Sequence, residues 1–199
     1  MDGLIAAGVA EVRKIAVHTL DRRPDLIGSA DTLMTTAWSR FMFEDDVAWS
    51  GWGELNRRFP SFQFVMCAED DKVIAVGNTI PLAWDRTLAG PPSGFDGALL
   101  DGIAGHRLGQ PPTALSALGA TIDPAYQGQG VSRLLLGAMR DLAARNGFAD
   151  LIAPVRPSHK SRYPLIPMER YIRWRHAAED DAPFGPWLRT HWRLGAHVL

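Results

Sequence analysis

Apolar residues along this chain recur with two periods, and the order of those periods lays out its elements. Val131, Leu134, Leu135, Ala138, Met139 and Leu142 fall at i, i+3, i+4, i+7, i+8 and i+11, which is one face of a helix. Asn146 and Gly147 supply its stop, because glycine accepts a left-handed cap. TALSALGATI (113–122) before the helix and FADLIAPV (148–155) after it read as strands. A strand, a tight loop, a helix and a strand place the two strands parallel, with a right-handed crossover.

The N-terminal half reads differently. EVRKIAVHT (11–19) alternates and predicts a first strand, and DRRPDLIGSAD is turn-like. Residues 31–43 carry Leu33, Met34, Ala37, Trp38 and Phe41 at helical spacing, with Ser29 or Asp31 as a candidate cap. A short helix over 49–59 would end at Pro60. FQFVMCAED and KVIAVGNTIPLAW, joined at an Asp-Asp turn, predict a β-hairpin. Residues 85–112 hold four prolines and six glycines and read as a long loop or insertion. Near the C-terminus, residues 168–175 alternate and read as extended, and WLRTHWRLG predicts a short helix closed by Gly195.

Composition narrows the function classes. With 199 residues, 46% hydrophobic and 22% charged, the chain can bury the core of one globular domain. A formal net charge of −1 gives no electrostatic footprint for nucleic acid. No apolar run approaches the length of a membrane helix, and MDGLIAAGVAEVRK does not read as a signal peptide. The one cysteine, Cys67, excludes an internal disulfide, which favours a reducing, cytoplasmic setting. No Cys/His spacing suggests a metal site.

The stretch DPAYQGQGVSRLLL (123–136) carries the chemistry. Pro124 ends the strand, and Gly128 and Gly130 allow positive φ and close approach of a ligand to the main chain. The first turn of a helix has unpaired N–H groups and a partial positive charge. The amides of residues 128–133 can therefore converge on an anion. GQGVSR lacks the lysine and Ser/Thr of a P-loop, and the dinucleotide pattern G-x-G-x-x-G fails at Arg133, although Asp150 lies 20 residues beyond Gly130.

The segment resembles the pyrophosphate loop of the Gcn5-related N-acetyltransferase superfamily, Gln/Arg-x-x-Gly-x-Gly/Ala, here Gln127-Gly128-Gln129-Gly130-Val131-Ser132 after Asp123-Pro124-Ala125-Tyr126. Ser132 departs mildly at the last position, since serine is small and suits a helix start. The resemblance implies an α/β (α+β) fold around a mixed sheet of about six strands. The N-terminal part would be antiparallel, a splayed parallel pair would flank the loop, and helices would cover the sheet. It implies one domain over 1–199, with an insertion at 85–112 and an atypical segment at 157–186; at the C-terminus either AHVL is the final strand, or further strands are missing, or a partner completes the sheet. It further implies acetyl-CoA or another acyl-CoA as co-substrate and no metal. The phosphates would be held by Gln127, Gly128, Gln129, Gly130, Val131, Ser132 and Arg133, and the pantetheine arm by Ala120 and Ile122.

The implied activity is acyl transfer to an amine of a small molecule or peptide, by direct attack in a ternary complex. The superfamily bulges the strand before the loop, and Gly119 would permit that bend. No Glu, Asp or His lies on 113–122, so Asp96, Asp101 and His106 of the insertion are candidate bases, as is a base acting through water. HWRLGAHVL places His191 where the superfamily carries its tyrosine, making it the candidate proton donor, with Tyr163, Tyr171 and His159 as rivals. Arg156, Lys160 and Arg162 form either a contact for the ribose phosphate or a solvated face. Trp84, Phe95, Leu99 and Leu100 form either an acceptor pocket or the insertion's own core. An open sheet edge would favour a homodimer. The competing readings are a coenzyme A sensor with degenerate chemistry and a dinucleotide-dependent oxidoreductase.

Overall fold

The computed structural model describes residues 15–38, 40–87, 90–179 and 181–199. Residues 11–14 of the expected first strand, the N-terminal stretch examined for a leader, and the side chain of Phe41 lie outside the described part. Five strands lie across the sheet in chain order: β1 (Ala16–Thr19), β2 (Gln63–Cys67), β3 (Val73–Leu82), β4 (Ala114–Ile122) and β5 (Leu151–Ile152). The first four are antiparallel, and β4 and β5 run parallel. Asp70 and Asp71 make the hairpin turn at φ 58° and 56°, a region that aspartate tolerates better than most residues.

Every residue of β2 and β3 is buried, because both faces of the sheet are covered. On one face α4 (Val131–Arg145) packs Val131, Leu135, Met139 and Leu142 against Phe64, Met66, Ile74 and Leu115. Helix α6 (Pro186–Arg193) adds Trp187 to this cluster, and Leu194 follows. Leu136 is buried in this cluster, whereas Leu134, counted on the buried stripe from its spacing, is 51% exposed. On the other face α1 (Ile27–Ala37) covers Val65, Cys67 and Val76. Helices α2 (Asp46–Arg58) and α3 (Gly94–Arg107) close over Ile80 with Leu55, Leu99 and Ile103.

The structure corrects the sequence reading in several places. Helix α1 begins at Ile27, ahead of the expected start, and neither Ser29 nor Asp31 caps it; a 3-10 turn at Pro24–Leu26 leads into it instead. The supposed loop over 85–112 contains the 14-residue α3. Gly102 serves close packing: a Cβ there would stand 2.5 Å from Ile80 Cδ1. The strand expected over 148–155 pairs only at Leu151–Ile152, because Pro154 and Pro157 offer no N–H to continue it. Residues 168–175 are not extended: Met168–Tyr171 form a short helix, α5, and Arg175 alone bridges to Pro183. The rings of Tyr163, Tyr171, Trp174 and Phe184 hold that segment together, every pair lying 4.9–6.1 Å apart. Gly195 closes α6 at φ 85°, and residues 196–199 pair with no strand, so the sheet has five strands among the described residues rather than about six.

Candidate active site

The strand before the glycine loop is bent and then released by its neighbour. Asn78 of β3 faces Gly119, and the next rung joins Thr79 to Ala117, so Leu118 is an extra residue on β4. This is a β-bulge, next to the glycine from which a bend was expected. On its other side β4 meets β5 only at Leu115 and Ser116. The rest of β4 runs on unpaired on that side, and the parallel pair splays.

The Asp123 N–H donates to the Ile74 carbonyl of β3 at 2.9 Å. Alternation along an antiparallel strand then turns the main-chain groups of Ile122 and Ala120 away from β3, into the splay.

The loop braces itself without using the N–H groups of residues 128–132. Asp123 Oδ1 accepts from the Ala125 N–H at 2.9 Å, and Lys72 lies 3.7 Å from Asp123 Oδ2 and over the Tyr126 ring at 5.0 Å. Gln127 Nε2 donates to the Ile122 carbonyl at 3.3 Å, and Gln129 Nε2 donates to the Ala125 carbonyl at 2.8 Å. Gln129 therefore holds a loop carbonyl, and Gln127 holds the carbonyl at the end of β4. Gly128 and Gly130 take φ 74° and 81°, and Gly130 caps α4 without any side-chain bond. No main-chain N–H of residues 128–132 is paired within the described residues. The N–H groups of Gln127 and Arg133 are engaged, with the carbonyls of Pro124 and Gly130. The free donors thus span 128–132, a narrower set than the sequence proposed.

No protein-family model matches the chain. The arginine N-acetyltransferase avaD of Aspergillus versicolor is 30% identical, over 98% of this chain and 73% of that protein. The chain belongs to the Gcn5-related N-acetyltransferase superfamily. It is an N-acetyltransferase that uses acyl-CoA. The N-alpha-acetyltransferase RimI of Mycobacterium tuberculosis is 40% identical over 85 residues, which are 39% of this chain and 54% of that protein.

Among solved structures, the loading GNATL domain of CurA from Lyngbya majuscula superposes with a TM-score of 0.65. Its identity is 22%, over 94% of this chain and 85% of that one. The GphF GNAT-like decarboxylase, solved with isobutyryl-CoA, gives a TM-score of 0.56 at 17% identity, over 94% of this chain and 87% of that one. At these identities the likeness concerns the fold alone, and the chemistry of this acetyltransferase has to be argued from its own residues.

Those residues lie on both sides of the bulge. On the α4 side, His191 stacks edge-on against Trp187 at 4.6 Å, with its buried Nε2 unpartnered. Burial lowers its pKa below the ordinary histidine value, so the imidazole is neutral at pH 7. Tyr171 is 1% exposed and its phenol is pushed up by burial. Tyr163 shares its ring cluster, while His159 is half-buried beyond β5. Arg156 and Lys160 line a cleft of about 460 Å³ with Ser158 and Met168, and Arg162 is exposed nearby.

On the other side, α3 replaces the expected loop. Asp96 has its pKa raised by desolvation and by the Asp45 carboxylate beside it, Asp101 is exposed, and His106 packs edge-on to Phe59. Leu99 is fully buried, Phe95 stacks on Trp52 at 6.0 Å, and Leu100 is 48% exposed.

The acetyltransferase also has features that the sequence reading missed. Trp38 donates its indole N–H to Thr121 Oγ1 of β4 at 2.8 Å and meets Trp52 edge-on at 4.7 Å. Asn78, 1% exposed, leaves Oδ1 buried without a partner among the described residues. Such an orphan costs about 1–3 kcal/mol. A lone asparagine inside the apolar run VIAVGNTIPL was the signal available for it.

Proposed function

We propose that the chain transfers an acyl group, acetyl in the simplest case, from acyl-CoA to a primary amine of a small molecule or peptide within one ternary complex. The observation that carries this reading is the row of unpaired N–H groups over residues 128–132, at the mouth of α4. Aligned amides and the positive end of a 15-residue helix suit a diphosphate. The outward main-chain groups of Ala120 and the N–H of Ile122 suit the pantetheine amides, which would add to β4 as a short strand, while Gln127 holds the Ile122 carbonyl. The basic side chains of Arg156 and Lys160 suit the phosphate-bearing end of the same molecule.

In the reaction, the amine nitrogen attacks the thioester carbon. Negative charge gathers on the carbonyl oxygen, and a main-chain N–H at the Leu118 bulge can meet it. Collapse breaks the C–S bond, and the thiolate leaves as the nitrogen sheds its proton. The proton reaches the departing thiolate through solvent, because burial keeps the His191 ring neutral and makes it a poor donor.

The Aspergillus relative acts on arginine, which places arginine first among acceptors to try. Calorimetry with acetyl-CoA, followed by thiol release with a panel of amines, tests the reading. Micromolar binding with amine-dependent release is expected. Binding without release from any amine would instead favour a sensor, and no binding at millimolar acetyl-CoA would end the proposal.

A further inference from the structure

The mechanism above leaves the buried amide of Asn78 without a task. Its direction is fixed by a short chain of hydrogen bonds. Gln63, fully buried, donates Nε2–H to the carbonyls of Phe59 at 3.0 Å and Thr79 at 2.8 Å. That turns Gln63 Oε1 toward Asn78, where it accepts the Nδ2–H at 3.2 Å. Asn78 Oδ1 must therefore point the other way. It comes within 3.0 Å of the point where a Cβ on Gly119 would stand, beside the extra residue Leu118. A buried acceptor held at the bulge and left unpaired calls for a partner that arrives from outside.

The surroundings indicate what that partner is. The Trp52 ring edge lies 3.4 Å from the same point. Trp52 is half-buried, with Trp38 edge-on at 4.7 Å and Phe95 stacked at 6.0 Å. The indole N–H of Trp38 is already given to Thr121, so it cannot satisfy Asn78. Aromatic walls around one oriented polar atom are the usual make-up of a small-molecule subsite. The missing component is an N–H donor, and the acyl acceptor supplies one.

We propose that Asn78 positions the acceptor. Its Oδ1 accepts one N–H of the incoming primary amine and holds the nitrogen lone pair toward the thioester carbon, while Trp52 turns aside to admit it. This assignment rests on the acyl-transfer reading. The amine enters neutral, the C–N bond forms, the C–S bond breaks, and the nitrogen proton passes through solvent to the departing thiolate. Asparagine takes no proton, which fits a strand that carries no carboxylate or imidazole.

The test compares amine-dependent with amine-independent thiol release from acetyl-CoA in the full-length chain, with arginine among the amines. The variants are Asn78→Leu and the double variant Gln63→Leu/Asn78→Leu, which removes both members of the buried pair and orphans neither. The expected result is at least a tenfold fall in the ratio of amine-dependent to amine-independent release, with acetyl-CoA affinity within twofold of wild type. A ratio unchanged within threefold in a folded variant overturns the assignment and leaves the acyl-transfer reading standing. Loss of fold in both variants overturns it too, since the pair is then structural. A wild-type chain that releases no thiol with any amine overturns the acyl-transfer reading, and this assignment with it.

Discussion

The indole N–H of Trp38 donates to the hydroxyl of Thr121 at 2.8 Å, tying the end of α1 to the strand that carries the bulge. Thr121 is only 4% exposed, so water cannot replace the donor. Trp38→Phe keeps a ring against Trp52 and removes the bond. It should destabilise the fold by about 1–3 kcal/mol, the cost of orphaning a buried hydroxyl. Urea unfolding reads that loss. The KM for the amine should rise while acetyl-CoA affinity holds, because the bond lies on the α1 side of the sheet and the glycine loop lies beyond the end of β4.

Gly130 and Gly137 separate conformational need from simple space. Neither would meet another atom within 4 Å if it carried a Cβ. Gly130 has φ 81°, so Gly130→Ala should cost about 1–2 kcal/mol from backbone strain alone. It should also weaken acetyl-CoA binding at least tenfold by turning the cradle amides out of line. Gly137 lies inside α4, where alanine is better by up to about 1 kcal/mol. Gly137→Ala should raise the melting temperature and leave binding untouched. Equal binding losses in both variants would mean that the loop does not hold the phosphates.

His191 gives a pH dependence whose sign follows from its burial. Desolvation depresses the folded-state pKa below the unfolded value of about 6.5. Between those two values the unfolded chain binds more protons, so stability rises with pH through that window. It falls as pH drops below about 6.5. His191→Phe should remove that slope and keep the aromatic contact with Trp187. The same variant tests the proton-donor role. A ring that is neutral at pH 8 contributes little there, so kcat at pH 8 should fall less than threefold. A hundredfold fall would establish His191 as the donor despite its burial.

The sequence was most legible where one local rule governed a segment. The span of α4, the two glycines of the loop and the Asp-Asp turn each depend on neighbours a few residues away, and each stands where its pattern put it. The failures came where distant packing overrode composition. Six glycines and four prolines over 85–112 read as a loop, yet α3 needs small residues because Ile80 lies directly beneath it. Leu136 is buried and Leu134 exposed, a choice within one turn that periodicity alone does not make. For the candidate site, the glycine loop with its unpaired N–H groups was legible because it is made of main chain. The cluster of Asn78, Trp38, Trp52 and Phe95 was not, because these residues meet only in the folded sheet.

Gly102→Ala sets two effects of known size against each other. Alanine in place of glycine inside α3 gains up to about 1 kcal/mol of helix propensity. The new Cβ, however, would stand 2.5 Å from Ile80 Cδ1 and 3.1 Å from the Pro81 carbonyl oxygen. Ile80 is fully buried and the carbonyl is backbone, so neither yields cheaply. Overpacking of this kind costs about 1–3 kcal/mol, and it should win. The variant should therefore unfold at lower urea than wild type. Helix α3 also carries Phe95, which stacks on Trp52, so lifting the helix should raise the amine KM and leave acetyl-CoA affinity unchanged. A variant more stable than wild type would mean that α3 does not bear on β3 as described, and the aromatic wall beside the bulge would lose its support.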